Sequence, residues 1–291
     1  MTASAPAEPT PFAREMRRRR ALRRISQLEL ATLAGTTQRH LSFIESGRSM
    51  PGRAMVVRLA ESLGLTLRER NSLLLSAGYA PLYAESARDA ETIGPAMEAL
   101  RSILTGHLPY PAVVAGPRGE LVLANAAFDV LTEGAAAHLL APPVNVLRLA
   151  LHPEGMGPRV VNLAAWGRHI TESLRIRASA HPDPGLEALV EELDEYLPAT
   201  DDGSGDRSGS GNGSGSVGDS GPAEHLGFAV PLRLRTSEGE LRLLTTLTSF
   251  STAVDVTLAE LHLEAFLPAD AASAELLRRR EDARTGPGPR R

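Results

Sequence analysis

Between Phe12 and Gly78 the chain is punctuated too often for any long element to form. Hydroxyl residues suited to opening helices stand at Ser26, Thr37 and Thr66, and glycines suited to closing them stand at Gly35, Gly47, Gly64 and Gly78. A Ser or Thr oxygen accepts orphan N–H groups of a first helical turn, and glycine adopts the left-handed conformation that ends one. The spacing predicts five short helices, at 12–24, 26–35, 38–46, 53–63 and 67–78, in a compact all-α domain. Ser26 with Glu29, and Thr66 with Glu69, each have the form of a capping box.

Charge is divided unevenly. The whole chain has 31 basic and 35 acidic residues, a net −4, but residues 1–83 hold 13 Arg against 6 Asp and Glu. A basic segment joined to an acidic body points to a nucleic-acid contact at the N-terminal end. No cysteine is present, which excludes disulfides, thiol catalysis and cysteine-bound zinc. No apolar run is long enough for a membrane span, no secretory leader is recognisable, and a cytoplasmic location is expected.

The second and third helices, joined by a turn containing Gly35, have the outline of a helix-turn-helix. Leu30, Ala31 and Ala34 give the second helix an apolar face, and Leu41 and Ile44 do so for the third. Gln38, Arg39 and Ser42 or Phe43 are left on the outer face, where a recognition helix meets the major groove. Glutamine can pair bidentately with adenine and arginine with guanine. Gln27, at the start of the second helix, is placed for a phosphate. His40 reads equally as a groove contact or as plain surface.

"SQLELATLAGTTQRHLSFIESGRSMP" (Ser26–Pro51) resembles the XRE/Cro-type helix-turn-helix through "GTTQ", the paired "LA" and "IESGR". The resemblance implies that Gln38 and Arg39 read bases on double-stranded operator DNA. It implies that Gln27, Arg48 and Arg53 hold phosphates, and that Arg20 and Glu45 form a partly buried structural ion pair. A wider resemblance, carried by "NVLRLALHPEGMGPRVVNLAAWGRH" and "VPLRLRTSEGELRLLTTLTSFSTAVDVTLAELHLEAFLPAD", is to the MmyB-like actinobacterial regulators. Those pair an XRE-type domain with a PAS-like ligand-binding domain. Gly52 stands where that family has a Ser-like cap.

The expected division is a flexible start at 1–11, the helical domain at 12–79, a linker at 80–92, an α+β domain at 93–277 and a disordered tail at 278–291. In the α+β domain, 112–115 and 120–124 read as one hairpin, and 228–236 and 240–250 as a second. Helices are expected at 93–106, 126–132, 162–178 and 185–197, and a short strand near 254–256. Asn125 is read as a cap for the helix that begins at Ala126, with a place in the pocket lining as the alternative. Residues 200–222 form a Gly/Ser-rich insert; its Gly213-x-Gly215-x-x-Gly218 lacks the flanking strand and helix of a dinucleotide site.

A sensor-like shell suits an apolar small molecule, fatty-acid-like by resemblance. His152, Asn162, Trp166, Arg168 and His169 are the candidate ligand contacts, with Trp166 as core the competing reading. A metal site of His152, His169 and Glu172 is a minor alternative, and neither a metal nor a cofactor is expected. No G-x-S-x-G, H-E-x-x-H or Walker loop occurs, and Glu191–Glu192 reads as a solvated run, so no enzyme is expected. The reading is a homodimeric regulator that senses a small apolar ligand. The alternative makes the second domain only a dimerisation or protein-docking module.

Overall fold

The computed structural model describes residues 10–198, 229–250 and 253–286. Most of the expected flexible start, the Gly/Ser insert with its Gly213-x-Gly215-x-x-Gly218, and 287–291 of the expected tail lie outside the described residues. The chain divides into two compact units, one of Met1–Gly94 with Phe250–Glu260, the other of Pro95–Ser249 with Leu261–Arg291.

In the first unit the five helices are α1 (Pro11–Leu22), α2 (Gln27–Leu33), α3 (Gln38–Glu45), α4 (Arg53–Ser62) and α5 (Leu67–Ser76). Phe12 and Met16 of α1 meet Leu30, Leu41, Ile44, Leu59, Leu73 and Leu74 in one fully buried core. The caps act as read. Ser26 Oγ accepts from Glu29 N, Thr37 Oγ1 from His40 N, and Thr66 with Glu69 completes a reciprocal box. At Ser26 only half of the expected box forms among the described residues. Gly52 gives α4 no side-chain cap. Gly35 closes α2 at φ 62°, and a Cβ there would meet nothing within 4 Å. The requirement for glycine is therefore conformational.

The expected linker at 80–92 is held rather than free. Asn71 on α5 accepts from Leu82 N and Tyr83 N and donates to Tyr83 O. The strand expected near 254–256 is a single parallel bridge, Ala84 with Asp255, followed by the short helix α12 (Val256–Ala259). Asp255 accepts from Ser86 N, and Thr257 donates to Ser86 O. Arg68 on α5 forks onto Glu260 at 2.6 and 2.9 Å and also reaches Glu85 at 2.6 Å. The Glu260 hydrogen bonds hold this guanidinium above its ordinary pKa despite burial.

The second unit opens with α6 (Gly94–Gly106), β1 (Ala112–Ala115) and β2 (Leu121–Ala124), then three short helices, α7 (Asp129–Thr132), α8 (Ala137–Leu140) and α9 (Val146–Leu151). The longer α10 (Leu163–Ala180) and α11 (Pro184–Glu195) follow, then the hairpin β3 (Leu232–Thr236) and β4 (Gly239–Ser249), β5 (His262–Pro268) and α13 (Ala271–Thr285). The strands form one antiparallel sheet in the order β2-β1-β5-β4-β3. Trp166, Leu174, Leu189 and Leu193 pack with Leu232, Leu234, Leu241, Leu243 and Leu276 into a single core.

Several expectations are corrected here. β5 is the central strand and was not among the expected strands: Leu263, Glu264 and Ala265 alternate, but Ala265, Phe266 and Leu267 then run on without alternation. The tail is helical through Thr285: Arg280 pairs with Glu133 and Glu238, and Arg284 with Asp129 and Glu281. Asn125 caps no helix. Its Oδ1 accepts from Ala112 N, and its amide donates to Leu104 O and Tyr110 O, which pins α6 to β1. Glu192 is not a solvated charge, since it receives Arg148 at 2.6 and 2.7 Å and Tyr196 Oη at 2.6 Å. Burial and that carboxylate push the Tyr196 phenol up to about 12.

Candidate functional site

The first candidate surface is the exposed face of α3. Leu41, Ile44 and Glu45 anchor the helix inward, and the Gln38 and Arg39 side chains stand exposed at its N-terminal turn. Ser42 and Phe43 are half-buried. The Arg39 guanidinium lies 5.5 Å from the Phe43 ring centroid and that of Arg48 lies 6.0 Å from it. The ring's negative face attracts both cations, so one aromatic gathers two positive charges beside the helix. Arg53 is exposed at the start of α4.

Glu45 fixes the angle at which α3 is presented. Its carboxylate receives Arg20 Nε at 2.6 Å and Nη2 at 2.9 Å, and Gln27 Nε2 at 2.8 Å. Arg20 also donates to Ile25 O, and Arg17 donates to the Glu45 carbonyl, both at 2.8 Å. Burial opposes ionisation of Glu45, but the Arg20 and Gln27 hydrogen bonds and the Arg20 and Arg17 charges outweigh it and lower the pKa. One side chain on α3 thus ties down α1 and α2 together.

The second candidate is a cavity of about 350 Å³ within the second unit, within the range of small-molecule sites. One face of α10 forms a wall, with Trp166, His169, Ile170, Ser173, Leu174 and Arg177 at three- and four-residue spacing. Val113 of β1, Leu147 and Ala150 of α9, and Phe266 of β5 add to the apolar lining, and Glu264 of β5 joins them as a carboxyl. Arg177 donates to the Pro117 carbonyl. Burial lowers the Arg177 pKa, and the charges of Glu264, Asp183 and Glu120 oppose this. Burial raises the Glu264 pKa, with the Arg177 charge opposing.

Comparison with known proteins covers both domains. Residues 16–70 match a helix-turn-helix model, and 96–279, more than half of the chain, match the MmyB-like transcription regulator ligand binding domain. The chain belongs to the MmyB-like transcription regulators. It is a DNA-binding transcription regulator with a ligand-binding C-terminal domain. Both matched families are regulator domains, which fits a non-enzyme. No curated protein matches the sequence. A solved RNA-binding light-oxygen-voltage receptor aligns with 95% of this chain at 14% identity and a TM-score of 0.24. The chain covers 65% of that receptor, and a likeness this low carries no argument. No described helix is long and apolar enough to cross a membrane.

The MmyB-like family implies a ligand site, and the cavity brings together two of the five candidates for it, Trp166 and His169. The other three do different work. Asn162 is buried and ties α10 to the sheet, donating to Pro231 O and accepting from Arg233 N. His152 packs edge-on against Tyr196 and His138, and Arg168 is exposed, off the cavity face. Ser173, Arg177, Thr245 and Glu264 are the polar lining residues that sequence reasoning missed, and two of them, Arg177 and Glu264, are ionisable. Counting helical turns from Trp166 leads to Arg177, whereas nothing in the sequence singled out Glu264. In the N-terminal unit the Gln27 amide is bonded to Glu45, and His40 Nδ1 lies 3.0 Å from Thr36 Oγ1. His152, His169 and Glu172 do not assemble; His152 instead joins His138 and Glu154, whose ligand atoms lie within 4.8 Å of one another and could hold a cation.

Proposed function

We propose that this regulator reads a specific operator through α3 and answers to a small apolar metabolite in the cavity walled by α10. Gln38 and Arg39 are the base readers, Thr37 orients the helix that carries them, and Ser42 and Phe43 border the same face. Arg48 and Arg53 contact phosphates, as does Gln27 at the start of α2. His40 is left to orient Thr36 or to meet the groove. The observation that carries the reading is the cavity itself, about 350 Å³ and mainly apolar. A module used only for dimerisation or docking would fill that space with side chains. The protein acts as a homodimer on two half-sites about 34 Å apart or a multiple of that. It works in the cytoplasm, and ligand alters dimer geometry.

Two measurements test this. Small molecules extracted from the purified protein and identified by mass spectrometry should include an apolar compound. Recovery of none, with no response of operator affinity to added amphiphiles, leaves the docking-module reading. In a binding selection, Arg39→Ala should relax preference at one base in each half-site by about 1–3 kcal/mol. An unchanged operator preference sinks that assignment.

A further inference from the structure

Three metal-ligating side chains converge in the second unit, apart from the residues that line the cavity. His138 lies on α8, His152 follows the last residue of α9, and Glu154 comes next in the turn beyond Pro153. One ligand atom from each lies within 4.8 Å of the other two, and this is the one such group among the described residues. Backbone hydrogen bonds fix the approach of the two segments. Ala136 N donates to Glu154 O and Met156 N to Leu149 O, both at 2.8 Å, and Gly155 N donates to His152 O at 2.9 Å. A Cβ on Gly155 would lie 2.4 Å from Leu149 O and 3.3 Å from a Leu139 methyl, so the turn is packed closely against α8 and α9. The His152 ring meets Tyr196 edge-on at 4.8 Å between centroids, and the Tyr196 hydroxyl is itself held by Glu192.

We infer that His138, His152 and Glu154 hold one divalent transition-metal ion of the zinc class, with water completing the shell. The inference does not depend on the cavity being a ligand site. Two imidazoles and a carboxylate suit Zn2+ and its neighbours, whereas Ca2+ and Mg2+ take shells of oxygen. Three protein ligands and one water make an open tetrahedral site, whose ligand atoms stand about 3.3–3.5 Å apart. His138 Nε2 and Glu154 Oε2 are 3.9 Å apart, too far for a hydrogen bond and about right for an ion to draw together. These two side chains are 59% and 65% exposed, so they are free to move the remaining distance. His152 is the fixed member. Its Nδ1 accepts from Glu154 N at 3.0 Å, and the ion competes with that N–H for the ring's lone pair. Glu154 is exposed, so a displaced N–H turns to water. That exchange sets the affinity below that of a structural zinc centre. The bound ion ties α8 to the end of α9, the helix whose Leu147, Leu149 and Ala150 line the cavity.

Full-length protein, stripped with a chelator and dialysed, is titrated calorimetrically with zinc chloride at neutral pH. One equivalent should bind with a Kd below about 100 μM. His138→Ala and Glu154→Gln each remove one ligand at an exposed position, and each should weaken binding at least about tenfold. Circular dichroism checks that both variants fold. His107→Ala removes a histidine outside the group and should change nothing. In the wild type, Co2+ should develop the visible absorption of a tetrahedral ion and lose it when Zn2+ is added; this readout needs no variant. The inference is overturned by the lack of a saturable equivalent in that range, or by binding that neither His138→Ala nor Glu154→Gln weakens tenfold. Loss of binding in His107→Ala overturns it as well.

Discussion

Glu45 in the first unit and Glu264 in the second are both carboxyl groups set among apolar residues, and they are treated in opposite ways. Glu45 receives three hydrogen bonds from Arg20 and Gln27, and its pKa is lowered. Glu264 receives none among the described residues, and its pKa is raised. The first is a finished joint: both carboxylate oxygens accept hydrogen bonds, and they tie α3 to α1 and α2. The second faces a cavity. The contrast separates a buried charge that joins three helices from a half-buried carboxyl that lines a cavity.

The strongest way to break that contrast is to remove the finished joint. Glu45→Ala leaves Arg20, with 17% of its side chain exposed, without a counter-charge, and should lower stability by about 3–5 kcal/mol. The midpoint of urea unfolding reads this. A loss below about 1 kcal/mol would rank the pair with ordinary surface bridges. Glu264→Leu should act in the other direction and raise stability by about 1 kcal/mol, because a carboxyl whose ionisation burial opposes gives way to an apolar side chain in a mainly apolar lining. Destabilisation there would mean that the carboxyl has a partner in the folded protein.

Titration sharpens the comparison with graded effects, at most about 1.4 kcal/mol per pH unit for one group. The Glu45 pKa is depressed, so its stabilisation is present above the ordinary value of 4.5 and is lost as pH falls through the folded value. Glu264 is raised, so its contribution is present below 4.5 and is lost as pH rises toward the folded value. Arg20 and Arg17 are the charges on Glu45; Arg177 is the charge on Glu264, with His169 in the same cavity lining. Unfolding curves across pH should therefore flatten below 4.5 in Glu45→Gln and above 4.5 in Glu264→Gln. The smallest expected effect is a control: Gly52→Ser supplies the missing α4 cap and should add a few tenths of a kcal/mol. Such a gain should leave both pH windows where they are.

What the sequence showed was what local chemistry decides. Thr37, Gly35 and Gly47 locate α3 because capping and left-handed backbone depend on neighbours only a few residues away. The Arg20–Glu45 pair is 25 residues apart and came from family resemblance, with no local signal to reveal it. β5 was missed because its alternation through Leu263, Glu264 and Ala265 lasts only a few residues before Phe266 and Leu267 break it. The arginines of α13 read as a solvated tail, since their partners Glu133, Glu238 and Asp129 lie far away in the chain. Arg168 lies two residues from Trp166 yet stands exposed off the cavity, whereas Arg177, three turns on, lines it, because a helix wall is set by turns and not by adjacency.

The first unit is discontinuous in sequence, because Ser86 and Arg68 take partners from residues 255–260, which lie between two strands of the other unit. A gene recombination that exchanged DNA-binding modules among relatives by one join near residue 80 would inherit only part of a unit. The incoming helices would meet a strap evolved for other partners. Operator specificity in such a lineage should therefore change more readily by substitutions on α3 than by shuffling whole modules.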